Sequence, residues 1–271
     1  VKSLPRHAKG ILTQCQLTAH QIMVAGRHDF RSFSIALSDI ASIDRPAEDD
    51  CTFFLHSLVS ERWWMSCRRR RKLAAFGFQA SCPAAAQEWV RAIRQQLCAP
   101  SSPPAAEDKK AVAPGSDVLP ARRKLLIVVN PISGTGFSAK ALERLCSILS
   151  LPGSNVEFEV NWTKWPGHAK EIASSVDVSS FHGIIVIGGD GMAHEVANGL
   201  LARSDAAEAV ARLAIAVVPT GSGNGLAKNL GIEPCDVDTA ALAILRGRVL
   251  SMDAMQVQIP SAAGVTLMHS L

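Results

Sequence analysis

The stretch Ile184-Ile185-Val186-Ile187-Gly188-Gly189-Asp190-Gly191-Met192-Ala193-His194-Glu195 decides how the larger part of this chain is read. Its first four residues are apolar and β-branched, the composition of a strand buried on both faces of a parallel sheet. Three glycines then flank one carboxylate, and a helical pattern follows at once. Met192, Val196 and Leu200 recur every four residues, which marks one buried helix face. Such a turn brings backbone N–H groups and a helix N-terminus close to a bound anion, with Asp190 at the carboxyl end of the strand. Taken alone, the stretch fits equally well a tight strand-to-helix turn that needs glycine for its dihedrals.

Outward from this point, residues 122–271 alternate between two periods. Residues 125–129, 156–162, 184–187 and 214–218 read as strands. Helical patterns lie between and after them: Ala139, Leu142, Leu145 and Leu149, then residues 167–176, 224–230 and 239–246. Strands separated by helices of this length predict an α/β doubly wound parallel sheet with helices on both faces. Right-handed crossovers place the strand-to-helix turns along one edge, where such folds bind ligands. Two further turns on that edge are glycine-rich: Asn130-Pro131-Ile132-Ser133-Gly134-Thr135-Gly136 and Pro219-Thr220-Gly221-Ser222-Gly223-Asn224-Gly225. Three such turns at successive strand ends predict a cleft lined with N–H donors for a polyphosphate. Residues 134–139 also match the dinucleotide-binding pattern, with Glu157 or Glu159 near the place of its ribose-binding acid. Asn130-Pro131 intervenes where that pattern wants an immediate tight turn, and it leaves the other two turns unexplained.

Residues 1–98 differ. Short β-type runs at 11–18, 21–25, 33–40, 51–58, 62–67 and 73–80 are separated by turn residues, which suggests a small sandwich or barrel. A helix then follows, capped by Ser81 or Cys82, with Pro83 in its first turn, where a missing N–H costs nothing. Its stripe of Ala86, Trp89, Val90, Ile93 and Leu97 would plug the open end of a barrel. The arrangement resembles a pleckstrin-homology domain, including the tryptophan in its closing helix, and the resemblance is architectural. Arg68-Arg69-Arg70-Arg71-Lys72 is the strongest charge cluster. It reads either as a solvated loop tip between two strands or as a contact with anionic lipid headgroups, each basic residue contributing about 1 kcal/mol near such a surface. Residues 99–121 carry Pro100, Pro103, Pro104, Pro114 and Pro120 among Ser, Ala and charges, a composition that makes a linker.

Composition bounds the rest. A chain of 271 residues has room for two domains, and 48% hydrophobic against 19% charged residues supports sizeable cores. A formal charge of +4, dispersed along the chain, argues against a nucleic-acid partner. No apolar run approaches the ~20 residues of a membrane-spanning helix. The start has no signal-like apolar core and no Met, so a fragment is expected. Seven cysteines at irregular spacing, with no Cys-x-x-Cys, suit reduced thiols in the cytoplasm, and the eight histidines show no metal-ligand spacing.

Together the three turns resemble the catalytic domain shared by diacylglycerol kinases, ceramide kinase and sphingosine kinases, from about Lys124 to the end. His194-Glu195-Val196-Ala197-Asn198-Gly199-Leu200, Gly221-Ser222-Gly223-Asn224 and Gly167-His168-Ala169-Lys170-Glu171 resemble the sphingosine (long-chain base) kinases most. The resemblance implies an ATP-dependent lipid kinase that uses Mg2+ and phosphorylates the primary hydroxyl of a sphingoid lipid at a cytoplasmic membrane surface. It implies ATP contacts from Asn130, Pro131 and Ile132, from Thr163, Lys164, Trp165, Pro166 and Gly167, and from Gly188, Glu195, Gly221, Ser222 and Gly223. Gly188, Gly189, Asp190 and Gly191 would also meet the lipid, with Asp190 as general base. In that family a pleckstrin-homology-like region often precedes the kinase domain. A C-terminal β-sandwich that supplies the lipid pocket begins about where this chain stops, so that domain is expected to be truncated. Ceramide or diacylglycerol kinase activity remains an alternative. So does an NAD kinase, which shares Gly-Gly-Asp-Gly but lacks the Asn-Pro loop paired with Gly-Ser-Gly-Asn. An alternative of another class is a membrane or partner-binding module with an inactive kinase fold. His194 reads as a core-edge histidine, Asn198 as a residue that could simply face solvent, and Lys228 as either a phosphate neutraliser or an exposed helix lysine.

Overall fold

The computed structural model describes residues 14–25, 33–46, 51–61, 70–98, 122–232, 236–261 and 264–270. The proposed linker at 99–121 and the proposed strand at 62–67 lie outside the described residues. The chain divides into two compact units, one of residues 1–121 with 151–154 and one of residues 122–150 with 155–271.

In the first unit, β1 (Gln14–Leu17), β2 (Gln21–Ala25) and β3 (Phe33–Ala36) form one antiparallel sheet. β4 (Ile40–Asp44), β5 (Thr52–Glu61) and β6 (Arg70–Gln79) form a second. The single strand expected over 33–40 is broken by a 3-10 turn at Leu37–Asp39, whose Leu37 is buried while the Asp39 carbonyl accepts from Ser57 Oγ at 3.0 Å. That turn carries the chain from one sheet to the other. α1 (Pro83–Cys98) has the extent and the face expected of it. Ala86, Val90 and Ile93 join Ile22, Val24 and Ile35 of the first sheet and Phe53, Leu55 and Phe78 of the second in one core. The basic run does not behave as a loop tip throughout. Arg70, Arg71 and Lys72 lie within β6 opposite Glu61, Ser60 and Val59, because ladder pairing satisfies the backbone there while a strand still turns alternate side chains outward. Arg68 and Arg69 lie outside the described residues.

In the second unit, β7 (Arg123–Val129), β8 (Val156–Trp162), β9 (Gly183–Gly188) and β10 (Ala214–Pro219) form one sheet in the order β10-β9-β7-β8, parallel throughout. Leu126, Val128, Ile184 and Val186 face one side. There they pack with Ala169 and Ala173 of α3 (His168–Ser175), with Met192, Val196 and Leu200 of α4 (Asp190–Leu201), and with Ala209 of α5 (Ala206–Arg212). The alternate residues Leu125, Ile127, Val129, Ile185 and Ile187 are equally buried and point to the other side, that of α2 (Ser138–Leu149) and α7 (Val237–Arg246). The doubly wound α/β architecture is therefore present.

Details depart from the sequence pattern. The buried face of α2 is Ser138, Ala141, Leu145, Ile148 and Leu149; Ala139 is exposed. Ser138 Oγ donates to Ser133 O at 3.1 Å, which turns the start of that helix inward. α5 was not foreseen, being only two turns long. α7 begins at Val237 because Asp236 caps it, accepting the Thr239 N–H at 2.7 Å. It ends at Gly247 (φ 62°), and the Arg123 guanidinium donates to the carbonyls of Ile244 and Leu245 in its last turn at 2.9 and 2.8 Å. β11 (Met255–Ser261) and β12 (Gly264–Ser270) pair as an antiparallel hairpin. Among the described residues no helix is long and apolar enough to cross a membrane.

Candidate active site

From β7 the chain steps to β8 on one side, then returns to β9 on the other side of β7. That reversal opens a crevice outside the carboxyl ends of β7 and β9, the place where doubly wound sheets bind ligands. The turns after β7 and β9 flank it, and the turn after β10 lies next in the sheet. Backbone bonds hold them in step. Asn130 N–H donates to Ile187 O at 3.2 Å, and Thr220 N–H donates to Gly188 O at 3.2 Å.

The turn after β9 contradicts the dihedral explanation of its glycines. None of Gly188, Gly189 and Gly191 has a positive φ, and Gly189 is extended at φ −95°. Close approach explains Gly188, and it explains Gly221 in the third turn, while a Cβ on Gly189 would meet Gly221 Cα at an ordinary 3.5 Å. A side chain on Gly188 would meet Met192 Sδ at 2.8 Å, and a Cβ on Gly221 would stand 2.7 Å from Gly189 Cα, backbone against backbone. The second and third turns therefore touch through their glycines. Gly191 faces open space.

Asp190, exposed, is the first residue of α4. Its Oδ2 accepts the Gly225 N–H at 2.8 Å and its Oδ1 accepts the Leu226 N–H at 3.0 Å. Those donors open the short helix α6 (Gly225–Asn229). A carboxylate suits that position, because the first N–H groups of a helix lack intrahelical partners. Each carboxylate oxygen keeps a second lone pair free.

The third turn holds its own shape. Asn224 sits in the left-handed region (φ 52°, ψ 40°), accepts the Gly221 N–H on Oδ1 at 3.1 Å, and donates from Nδ2 to Gly221 O at 2.7 Å. The N–H groups of Ser222 and Gly223, both on exposed residues, have no acceptor among the described residues. Thr220 Oγ1 donates to Ser133 Oγ at 3.3 Å, which ties the third turn to the first. In the first turn, Asn130 Oδ1 accepts the Ile132 N–H at 2.9 Å, Pro131 is exposed, and the Ile132 side chain is 84% exposed.

The second stretch is only partly brought in. Thr163 N–H and Oγ1 both donate to Val129 O, at 2.8 and 3.3 Å, so Thr163 borders the first turn. Lys164, Trp165, Pro166 and Gly167 bond locally instead. Lys164 N–H donates to His168 Nδ1 at 3.2 Å, Trp165 Nε1 donates to Glu171 at 3.1 Å, and the Trp165 and His168 rings lie 4.1 Å apart. Glu195 and His194 are half-buried on α4, and Glu195 has no polar partner among the described residues. Asn198 is buried rather than solvent-facing, and its Nδ2 donates to His194 O at 2.9 Å. Lys228 is exposed. Sequence reasoning passed over Ser133, Thr220 and the roles of Asn224 and of the Gly225 and Leu226 N–H groups. An asparagine standing just before a helix was the one visible signal.

Residues 124–257 match the family described as the diacylglycerol kinase catalytic domain. This part of the chain belongs to that family. Among curated relatives, Sphingosine kinase 1 of Arabidopsis thaliana is 42% identical over 135 residues, covering 48% of this chain and 27% of its own length. Sphingoid long-chain bases kinase 1 of the same plant is 41% identical over 138 residues, covering 50% of this chain and 17% of its own. A solved structure of a putative diacylglycerol kinase from Bacillus anthracis str. Sterne is 28% identical and covers 55% of this chain and 48% of that one, with a TM-score of 0.40. The chain thus spans between about a sixth and a quarter of the length of these two curated kinases. Within the diacylglycerol kinase-type domain, the matched segment contains all three glycine turns and the crevice they border.

Proposed function

We propose that this chain carries the nucleotide-binding and catalytic part of an ATP-dependent kinase that phosphorylates the primary hydroxyl of a sphingoid long-chain base. The observation that carries the reading is Asp190, a carboxylate fixed by two backbone donors at the meeting point of glycine turns beside the β7/β9 crevice. The names of the curated relatives, sphingosine and sphingoid long-chain base kinases, support the choice of acceptor.

The chain's own groups divide the work. The unpaired N–H groups of Ser222 and Gly223, with those of Asp190 and Gly191 at the start of α4, would donate to phosphate oxygens. Asn130, Pro131, Ile132 and Thr163 would border the nucleotide from β7 and β8, and Glu195 would meet it from α4. Asp190 takes the proton of the lipid hydroxyl as that oxygen bonds to the γ-phosphorus. The bond from the γ-phosphorus to the bridging oxygen breaks, and ADP leaves with the electron pair. The three turns carry a single carboxylate, so Mg2+ would ride on phosphate oxygens and water and there spread the developing charge. The β-rich unit is a pleckstrin-homology-like membrane-facing domain in this reading, with Arg68, Arg69, Arg70, Arg71 and Lys72 toward anionic headgroups and the protein peripheral to a cytoplasmic membrane surface.

Transfer from ATP to sphingosine, ceramide and diacylglycerol, measured side by side with ATP binding, tests the proposal. Sphingosine is expected to be the preferred acceptor. Faster transfer to either other lipid overturns the acceptor assignment. ATP binding with transfer to none of the three favours a binding module with an inactive kinase fold.

A further inference from the structure

Asn224 and Asp190 exchange the roles their positions would suggest. A residue at the N-cap of a helix ordinarily turns its side chain forward to the first free N–H groups of that helix. Asn224, at the N-cap of α6, makes no such bond; its side chain turns back and grips both backbone groups of Gly221, at 3.1 and 2.7 Å. The free N–H groups of Gly225 and Leu226 are taken by Asp190, from 35 and 36 residues earlier. The left-handed backbone makes this possible. Asn224 and Asn155 are the two non-glycine residues with positive φ among the described ones, and asparagine is tolerated there because its short side chain bonds locally.

We infer that Asn224 is the positioning residue of the phosphate-facing turn. Its two-point grip on Gly221 sets the direction of the Ser222 and Gly223 N–H groups and delivers the start of α6 to the Asp190 carboxylate. Without the grip, residues 221–224 lose the cross-link that closes the turn, and the two donors no longer converge. The inference rests on the nucleotide-binding reading above and adds a residue that acts through its neighbours rather than by touching nucleotide.

The test separates backbone conformation from the grip. Asn224→Gly keeps a residue at ease with positive φ and removes both side-chain bonds. Binding of Mg-ATP and of AMP to the full chain is measured by calorimetry, together with the thermal midpoint. The wild type is expected to bind ATP more tightly than AMP. Asn224→Gly is expected to weaken ATP by about tenfold, equivalent to about 1.4 kcal/mol, while AMP stays within about twofold and the fold is kept. ATP affinity within about twofold of wild type overturns the inference, as does an equal loss for ATP and AMP. A variant that does not fold overturns it in favour of a purely structural role. A wild type that binds no ATP removes the nucleotide-binding reading itself, a result distinct from any of these.

Discussion

Replacing Gly221 by alanine tests whether the second and third turns are built as one body. The new Cβ would lie 2.7 Å from Gly189 Cα, about 0.7 Å short of ordinary van der Waals contact. The obstacle is backbone, and it is pinned: Gly188 O holds Thr220 N–H at 3.2 Å on the same side. Relief requires the turns to part, and overpacking of this kind costs about 1–3 kcal/mol. Parting by that distance also stretches the Asp190 bonds to Gly225 and Leu226 from 2.8 and 3.0 Å out of hydrogen-bond range, for about 1 kcal/mol more. The expected loss is about 2–4 kcal/mol, a fall of roughly 5–15 °C in the melting of the α/β unit. Gly191→Ala is the matched control. It meets nothing within 4 Å, its φ is not positive, and it lies in a helix, so alanine there should stabilise by about 0.5–1 kcal/mol. Circular dichroism melts of the two variants beside wild type give both signs in one experiment. If Gly221→Ala melts with wild type, the turns are not in the contact described, and the account of Asp190 as their shared anchor is wrong.

Asp190→Asn should lower turnover by about 10²–10⁴-fold, and phosphorylation of sphingosine within about threefold of wild type would show that Asp190 is not the base. The same variant presents an amide N–H to the Gly225 or Leu226 N–H, so it should also lose about 1–3 kcal/mol of stability in urea melts. Asp236→Ala removes the 2.7 Å cap on α7 and should cost about 1 kcal/mol in the same melts, whereas Asp236→Asn should recover most of it. Asp177 is held at a pKa of about 2, first by the Ser180 hydroxyl and then by the Ser179 hydroxyl and N–H. Its folded value lies below the unfolded one, so its contribution is complete above about pH 4 and disappears as pH falls toward 2. NMR titration should show Ser180→Ala moving that carboxylate upward; an unmoved titration would sink the assignment of cause.

The architecture was legible because the evidence for it is local. Runs such as Ile184-Ile185-Val186-Ile187 state their burial outright, and turn residues such as Gly188-Gly189, Asn130-Pro131 and Pro219-Thr220-Gly221 close them, so strands, helices and turns follow from neighbours in sequence. Local pattern reading failed where one particular side-chain bond or a strand partner decided the outcome. α7 starts early because Asp236 caps it, α2 is rotated by the bond from Ser138 to Ser133, and β6 runs into the basic cluster because β5 continues opposite it. The site shows the same division. Its glycine turns could be seen, and so could their common edge. The link from Thr220 to Ser133 and the cap supplied by Asp190 could not, since they join residues 87 and 35 apart; the grip of Asn224 spans three residues, but its backward direction follows from a left-handed backbone that the sequence does not state.

The three glycines around Asp190 separate what packing requires from what a ligand requires. Gly188 is needed by Met192, whose sulfur occupies the place of a side chain. Gly221 is needed by the second turn, because a Cβ there would stand 2.7 Å from Gly189 Cα. Neither fact depends on any bound molecule, and either would be expected in an inactive copy of the fold. Gly191 has no such reason: its backbone is not left-handed, nothing stands within 4 Å, and helical glycine is the costlier choice. What remains is room beside the carboxylate and the free N–H groups at the start of α4, where a phosphate or a lipid hydroxyl has to approach. Gly191→Ala should therefore raise the melting temperature and lower ATP or acceptor binding, opposite signs that a packing role cannot produce.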